Sequence, residues 1–367
     1  MILDSPDSAA PYFQRRVERV RQRMADHGLS AFLVSSLVNV RYLSGFTGTS
    51  GLMVITGDEA CFLTDFRYVT QAAAQVKSAR VMEYKEPEPA VHELLKSHGA
   101  GNAGFESLHV TYARAEEMRE KFTGVELVPV KDAVETVRQV KDEPEIEAIK
   151  WLLDIQAETF NDALRLIRPG AVERDVAVEL EYLLRKRGAD GPAFDFIVAS
   201  GVRSAMPHGV ASDKVIGKNE MVTLDWGAKG RGYHSDNTRT VITGPVDPEL
   251  EKIYSIVLEA NIAGIEAVRP GVSMKQVDEA ARKIVNATGY GDAFGHGTGH
   301  GVGLDIHEKP TVSWRGDAVA EPGMVFTVEP GIYLPGKGGV RIEDMVLVTQ
   351  TGCETLSAAI PKGLIAV

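Results

Sequence analysis

The sequence predicts an α/β protein in two domains, and three observations carry that reading. The chain has 367 residues, two to three domains at roughly 100–200 residues each. Its first ~135 residues alternate between helical and strand patterns. The remainder holds two helix–turn–helix units 101 residues apart, each followed by strand pairs, as expected of a duplicated, pseudo-twofold domain.

The elements follow in order. Tyr12 to His27 is a helix with an apolar stripe at Phe13, Val17, Val20 and Met24, stopped by Gly28. Ala31 to Leu37 is an apolar strand. Leu52–Thr56 and Ala60–Thr64 flank Gly57-Asp58-Glu59 and read as a hairpin. Helices are expected around Tyr68–Val76 and Ala90–Ser97, and a strand near Gly104–Ser107. Together they make a compact α/β domain over residues 1–135. A polar stretch from Arg138 to Glu143 marks the boundary. Asp142 is a plausible cap and Pro144 falls in the first turn of a long amphipathic helix that runs to about Ile167. The second domain covers residues 136–367.

In that domain, helix Pro144–Ile167 ends in Arg168-Pro169-Gly170 and is followed by helix Val172–Lys186. Helix Pro248–Val268 ends in Arg269-Pro270-Gly271 and is followed by helix Ser273–Asn286. Apolar positions match across the offset, Ile167 with Val268 and Val176 with Val277. Strands Met221–Gly227 and Tyr233–Thr243 form a hairpin around Lys229–Gly232. Met324–Glu329 and Val340–Thr349 form another around Pro335–Gly339.

Composition narrows the function. Hydrophobic residues are 44% and charged residues 25%, close to a globular average. The net charge of −11 lacks the basic footprint of a nucleic-acid binder. No apolar run approaches the ~18 residues of a membrane span, and the first residues carry no basic, apolar leader pattern. The expected location is the cytoplasm. Cys61 and Cys353 are far apart in apolar contexts and read as buried free thiols, consistent with a reducing compartment. Of 36 glycines, 22 fall in residues 201–340, and five of nine histidines lie between His208 and His307.

That region carries the chemistry. With the turn of the first hairpin centred between Gly230 and Arg231, Asp225 is expected opposite Asp236. Two facing carboxylates repel, so something must stabilise them: a basic side chain, a shared proton or a metal. Glu329 and Glu343 likewise sit in apolar strands, where an unpaired carboxylate is costly. Arg341, two residues before Glu343 on the same face, is a candidate partner. His296, His300 and His307 fall in a glycine-rich stretch that fits no phosphate-cradling G-x-G-x-x-G register. Alternating glycines leave the imidazoles unobstructed. Four carboxylates with one or two histidines suit hard or borderline divalent ions, Mn²⁺ and Co²⁺ ahead of a cysteine-rich zinc site. A pair of such ions would activate a water for hydrolysis.

The motifs Leu224-Asp225-Trp226-Gly227, Ser235-Asp236-Asn237-Thr238-Arg239-Thr240, Gly297-Thr298-Gly299-His300-Gly301-Val302-Gly303, Thr327-Val328-Glu329-Pro330-Gly331-Ile332-Tyr333 and Arg341-Ile342-Glu343-Asp344 resemble those of the pita-bread metallopeptidases. That family includes aminopeptidase P, prolidase and methionine aminopeptidase. Asn39-Val40-Arg41-Tyr42-Leu43-Ser44-Gly45-Phe46-Thr47-Gly48 resembles the creatinase-type N-terminal domain of its Xaa-Pro-cleaving branch. The resemblance implies a curved antiparallel sheet in the second domain and two divalent metal ions, Mn²⁺ first, Co²⁺ or Zn²⁺ otherwise. By it, Asp225 would chelate one ion, Asp236 and Glu343 would bridge both, and His300 and Glu329 would complete the other site. The nucleophile would be a metal-bridging hydroxide. His208 and His307 would contact the scissile amide, His296 would line the proline pocket, and Arg341 would hold Glu343. The substrate would be a proline-containing peptide, and the assembly a homodimer.

Two departures bear on specificity. Trp226 is bulkier than the usual residue at its place. His307-Glu308-Lys309-Pro310 is followed by Thr311 where many prolidases carry an arginine, which favours longer peptides and an aminopeptidase P-like activity; Arg315 nearby could substitute, leaving prolidase open. A metal-free creatinase-like hydrolase or a non-catalytic binding module is the remaining alternative. Such proteins typically lack a ligand, and all five are present here. His234 has no assigned role.

Overall fold

Ser5 begins the first helix six residues earlier than the apolar stripe alone suggests. Its hydroxyl accepts from Ser8 N (3.5 Å), and Pro6 occupies the first turn, where its missing N–H costs nothing. This is seen in a computed structural model of the chain, which describes residues 2–367. It falls into two units, one ending at Arg138 and the other spanning Gln139–Val367.

In the first unit α1 (Pro6–Asp26) leads to β1 (Ala31–Val34), which stops three residues short of the expected strand end. The Glu106 carboxylate accounts for the stop. It accepts from Ser35 N (2.6 Å), Ser36 N (2.8 Å) and Asn39 Nδ2 (2.7 Å), turning the chain into α2 (Leu37–Ser44). There follow β2 (Leu52–Thr56), β3 (Ala60–Thr64), α3 (Val69–Gln75), β4 (Arg80–Glu83), α4 (Pro87–Ser97), β5 (Asn102–Glu106), α5 (Tyr112–Lys121), β6 (Glu126–Val130) and α6 (Ala133–Arg138). The six strands form one mixed sheet in the order β4-β3-β2-β1-β5-β6. The hairpin pairing of β2 and β3 is antiparallel as expected.

The second unit opens on α7 (Glu143–Leu166), whose start is a full capping box: the Asp142 side chain accepts from Glu145 N, and the Glu145 side chain accepts from Asp142 N. Then come α8 (Glu173–Lys186), β7 (Gly191–Pro192), β8 (Ile197–Ser200), β9 (Met221–Trp226), β10 (Ala228–Gly230), β11 (Tyr233–His234) and β12 (Asn237–Ile242). The second half repeats the plan with α9 (Pro248–Ala267), α10 (Met274–Ala287), β13 (Gly299–Gly301), β14 (Glu308–Val312), β15 (Val325–Val328), β16 (Gly331–Leu334), β17 (Gly338–Arg341), β18 (Asp344–Val348) and β19 (Cys353–Thr355). The main sheets are antiparallel, ordered β12-β9-β8 and β14-β13-β15-β18-β19. Helices α9 and α10 bury Ile253, Val257, Ala281 and Val285 against Ile332, Val340 and Ile342.

Each expected long hairpin is one ladder with a break in it. Trp226 pairs with Asn237 and Lys229 with His234; the register continues across an unpaired step at Gly227. A Cβ on Gly227 would lie 2.1 Å from Ser235 O, so only glycine fits that crossing. In the later hairpin Val328 pairs with Asp344 and Gly331 with Arg341, leaving Glu329 and Glu343 in the break. Interruptions of this kind aim side chains off the sheet.

Cys61 is buried and Cys353 only half-buried, because β19 is an edge strand; both are free thiols. Among the described residues no helix is long and apolar enough to cross a membrane.

Candidate metal centre

The first hairpin turns one residue later than expected. Gly230 pairs with Tyr233, so the turn is Arg231-Gly232, with φ of 54° and 89°. Two positive φ values mark the two-residue turn that suits a twisted hairpin, and the sequence gives little warning of it because Arg231 is a poor candidate for that conformation. Asp225 therefore faces Thr238, not Asp236. A one-residue shift of the centre moves the partner by two, and parity is kept. Asp225 and Asp236 still belong to one sheet face.

All nine residues singled out by sequence line one cleft of about 1230 Å³: Asp225, Asp236, His300, Glu329 and Glu343, with His208, His296, His307 and Arg341. Ligand atoms of Asp236, His300 and Glu343 lie within 4.8 Å of one another. His300 Nε2 is 3.6 Å from Asp236 Oδ2 and 3.3 Å from Glu329 Oε1. His300 Nδ1 is 3.1 Å from the carbonyl of Gly301. A proton on Nδ1 satisfies that contact and leaves the Nε2 lone pair facing the carboxylates, the arrangement of a metal-binding histidine.

The electrostatics are those of a site short of positive charge. Burial, and then the charges of Glu343, Asp225 and Glu329, hold the Asp236 carboxyl well above the usual carboxylate range. Burial, then Glu329 and Asp225, do the same to Glu343. Burial also raises Glu329, although His296 and Arg341 pull the other way. Burial lowers His300, keeping it neutral as ligation requires. Among the described residues, Asp225 Oδ1 and Glu343 Oε1 are buried without a hydrogen-bond partner. Orphaned carboxylate oxygens are expensive, and divalent cations bound among these carboxylates would satisfy them.

Arg341 does not hold Glu343. Its Nη2 bonds Asp225 Oδ2 at 2.7 Å, Nη1 reaches Tyr333 Oη (2.9 Å) and Pro207 O (3.0 Å), and Nε reaches Thr238 Oγ1 (3.0 Å). The chain leaves β17 at Arg341 and re-enters the ladder at Asp344, so the two side chains lose the parallel setting that i, i+2 spacing gives in a regular strand. Thr238 Oγ1 instead donates to Glu343 Oε2 at 2.7 Å.

His296 lies 2.8 Å through Nδ1 from Gly297 O and 3.0 Å through Nε2 from Tyr333 Oη. A chain thus runs from Arg341 through the Tyr333 hydroxyl to the His296 ring. Burial lowers His296 and His307. The His307 ring stands edge-on to His300 with centroids 4.3 Å apart. His208 is exposed on the cleft wall. His234, which had no role, anchors a loop: its backbone N and its Nδ1 both contact Gly303 O, at 2.9 and 3.1 Å. Trp226 points away from the cleft and stacks on Phe160 at 5.5 Å, so its bulk does not shape the substrate site. Tyr333, Thr238 and Thr327 were not anticipated. Thr327 Oγ1 donates to Glu329 (3.0 Å). The two threonines sit two residues from Asp236 and Glu329, a period-2 signal that could have found them.

A cleft of this kind, walled by four carboxylates and a neutral histidine on a duplicated antiparallel scaffold, defines a metal-dependent hydrolase. Residues 147–350 match metallopeptidase family M24 and residues 16–140 the creatinase/prolidase N-terminal domain; the chain belongs to metallopeptidase family M24, with the pita-bread fold. Among its relatives is the uncharacterized peptidase YqhT of Bacillus subtilis, 44% identical over 351 residues, 95% of this chain and 99% of the relative. The Xaa-Pro dipeptidase from Bacillus anthracis superposes with a TM-score of 0.94 at 42% identity, covering 97% of this chain and 100% of that one. The X-Pro aminopeptidase from Thermotoga maritima superposes with a TM-score of 0.86 at 38% identity, covering 93% and 98%.

Proposed function

We propose that this metallopeptidase hydrolyses the Xaa-Pro bond at the N-terminus of peptides, using two divalent ions held by Asp225, Asp236, His300, Glu329 and Glu343. The observation that carries the reading is the pair of partnerless buried oxygens, Asp225 Oδ1 and Glu343 Oε1, in a cleft with four carboxylates. Bound there, the ions would lower the pKa of a water and polarise the scissile carbonyl. A donor set of four carboxylates and one imidazole suits hard or borderline divalent ions, Mn²⁺ first and Co²⁺ or Zn²⁺ otherwise.

The protein's own groups do the rest. An Xaa-Pro amide has no N–H to donate, so its recognition falls on the carbonyl and on the ring. His208 and His307 line the cleft and would contact the scissile amide. Phe194, Ile197 and Leu334 supply apolar wall for the ring. The Tyr333–His296 contact offers a polar edge beside them.

Longer peptides are the preferred substrates on this reading, because Thr311 replaces the arginine that would grip a dipeptide's carboxylate. A dipeptidase is the second reading, supported by the relative from Bacillus anthracis and by Arg315 in the cleft lining. Assay Ala-Pro against Ala-Pro-Ala with added Mn²⁺. Faster release of alanine from the tripeptide is expected. Preference for Ala-Pro selects the dipeptidase reading, and cleavage of neither overturns both.

A further inference from the structure

Two of the loops that carry cleft histidines, those of His208 and His296, are each tied to a buried carboxylate on a helix. Glu173, in the first turn of α8, has no solvent exposure. Its Oε1 accepts from Ser200 N (2.7 Å) and Ser200 Oγ (2.8 Å). Its Oε2 accepts from Ser212 N (3.2 Å), from Ser212 Oγ (2.7 Å) and from Arg203. Arg203 also donates to Val210 O at 2.8 Å. Ser200 and Ser212 bracket the segment that bears Pro207 and His208, whose only regular structure is a short 3-10 turn, Gly201–Ala205. Pro207 O is the acceptor for Arg341, which holds Asp225.

The other half is tied in the same manner. Asp278 on α10 is fully buried. Its Oδ1 accepts from Thr298 N (3.2 Å) and Thr298 Oγ1 (2.7 Å), two residues before His300. Arg282 bonds both its oxygens, at 2.9 and 3.0 Å, and donates onward to Phe294 O (2.9 Å) and His296 O (2.8 Å). The two devices are not copies. Across the 101-residue offset Glu173 aligns with Met274, and Asp278 with Ala177. The same solution, a carboxylate–arginine pair bonded to a histidine loop, stands at unrelated positions of a duplicated frame. Duplication alone does not produce that.

A loop with few ladder bonds takes its order from side-chain networks, and a fully satisfied buried network is the stiffest kind. We propose that Glu173 and Asp278 are positioning residues: Glu173 sets His208 in the cleft, and Asp278 sets His296. Their effect on turnover rests on the peptidase reading above; their effect on loop order does not.

Hydrogen exchange on the full chain tests the order directly. In E173Q the amides of residues 201–211 should exchange about 10-fold faster, with β9 and β12 unchanged and the bound Mn²⁺ per chain unaltered. In D278N the acceleration should fall in residues 294–298. On an Xaa-Pro peptide E173Q should lose roughly 10- to 100-fold in kcat with little change in KM, and D278N, which displaces a wall of the proline pocket, a similar factor in kcat/KM. E173Q should add nothing in an H208A background, nor D278N in an H296A background, since a residue that acts through another is silent without it. Should E173Q fail to fold, S212A removes the hydroxyl donor from one end of the loop and should accelerate the same amides less. Unchanged exchange in both loops, or losses that multiply in the double variants, overturns the proposal. If the wild type cleaves no Xaa-Pro peptide but the exchange result holds, the peptidase reading falls and the positioning role stands.

Discussion

Glu343 and Asp344 are consecutive, both buried, and opposite in their electrostatics. Asp344 accepts from Arg239 Nη2 (2.8 Å), Lys362 Nζ (2.8 Å) and Ser357 Oγ (2.8 Å). Burial pushes its carboxyl up, but Arg239 and Lys362 outweigh burial and hold it below the usual range. Glu343 has one bond, from Thr238, and a partnerless oxygen. Its carboxyl is pushed up. The fold thus neutralises a buried carboxylate with its own cations on one face of the strand. On the other face it leaves four carboxylates to a single arginine. The difference locates where a charge from outside the chain belongs.

Three experiments press on that contrast. The largest effect is expected from D236A, which deletes a proposed bridging ligand. Metal binding should be lost, and with it several kcal/mol of transition-state stabilisation, so peptidase activity should fall ~10³-fold or more. D236A that keeps activity within tenfold breaks the contrast from the cleft side.

Next is D344N, which leaves the buried Arg239 and the half-buried Lys362 around a neutral group. A loss of about 3–5 kcal/mol at pH 7 is expected. Urea unfolding followed by tryptophan fluorescence reads it cleanly, because Trp151, Trp226 and Trp314 all belong to the second unit. The Asp344 pKa is depressed from its ordinary 3.8. Its contribution is therefore present above that value and lost as pH falls through the lower folded value. The D344N penalty should shrink in acid.

The smallest effect has the opposite sign. The Glu343 pKa is raised from its ordinary 4.5 in the metal-free protein. Its favourable contribution is full below that value and lost as pH rises through the folded one. E343Q should therefore stabilise the chelator-treated protein by about 1–3 kcal/mol at pH 8 and by less at pH 5. Destabilisation at pH 8 would show that Glu343 is satisfied without metal.

Much of this was legible in residues. The cap at Asp142, the two Arg-Pro-Gly turns and the apolar stripes place the helices of the second unit to within a residue or two, because those signals are local. The acidic residues inside apolar strands pointed to one charged cleft. What stayed hidden depends on exact backbone geometry or distant partners. The first hairpin's register hung on whether Gly230-Arg231 or Arg231-Gly232 makes the turn. The partner of Arg341 hung on a bend at Ile342–Glu343. Nothing in the sequence marks Glu173, since its donors lie 27 to 39 residues away. β1 ended early because of Glu106, about 70 residues on.

The most direct measurement is the metal content of the wild-type protein after equilibration with Mn²⁺ and removal of free ion. Two ions per chain, with fewer in E343Q and none in D236A, is the predicted result. A protein that retains no metal would contradict the account, because its four clustered carboxylates would then be stabilised by something other than a cation.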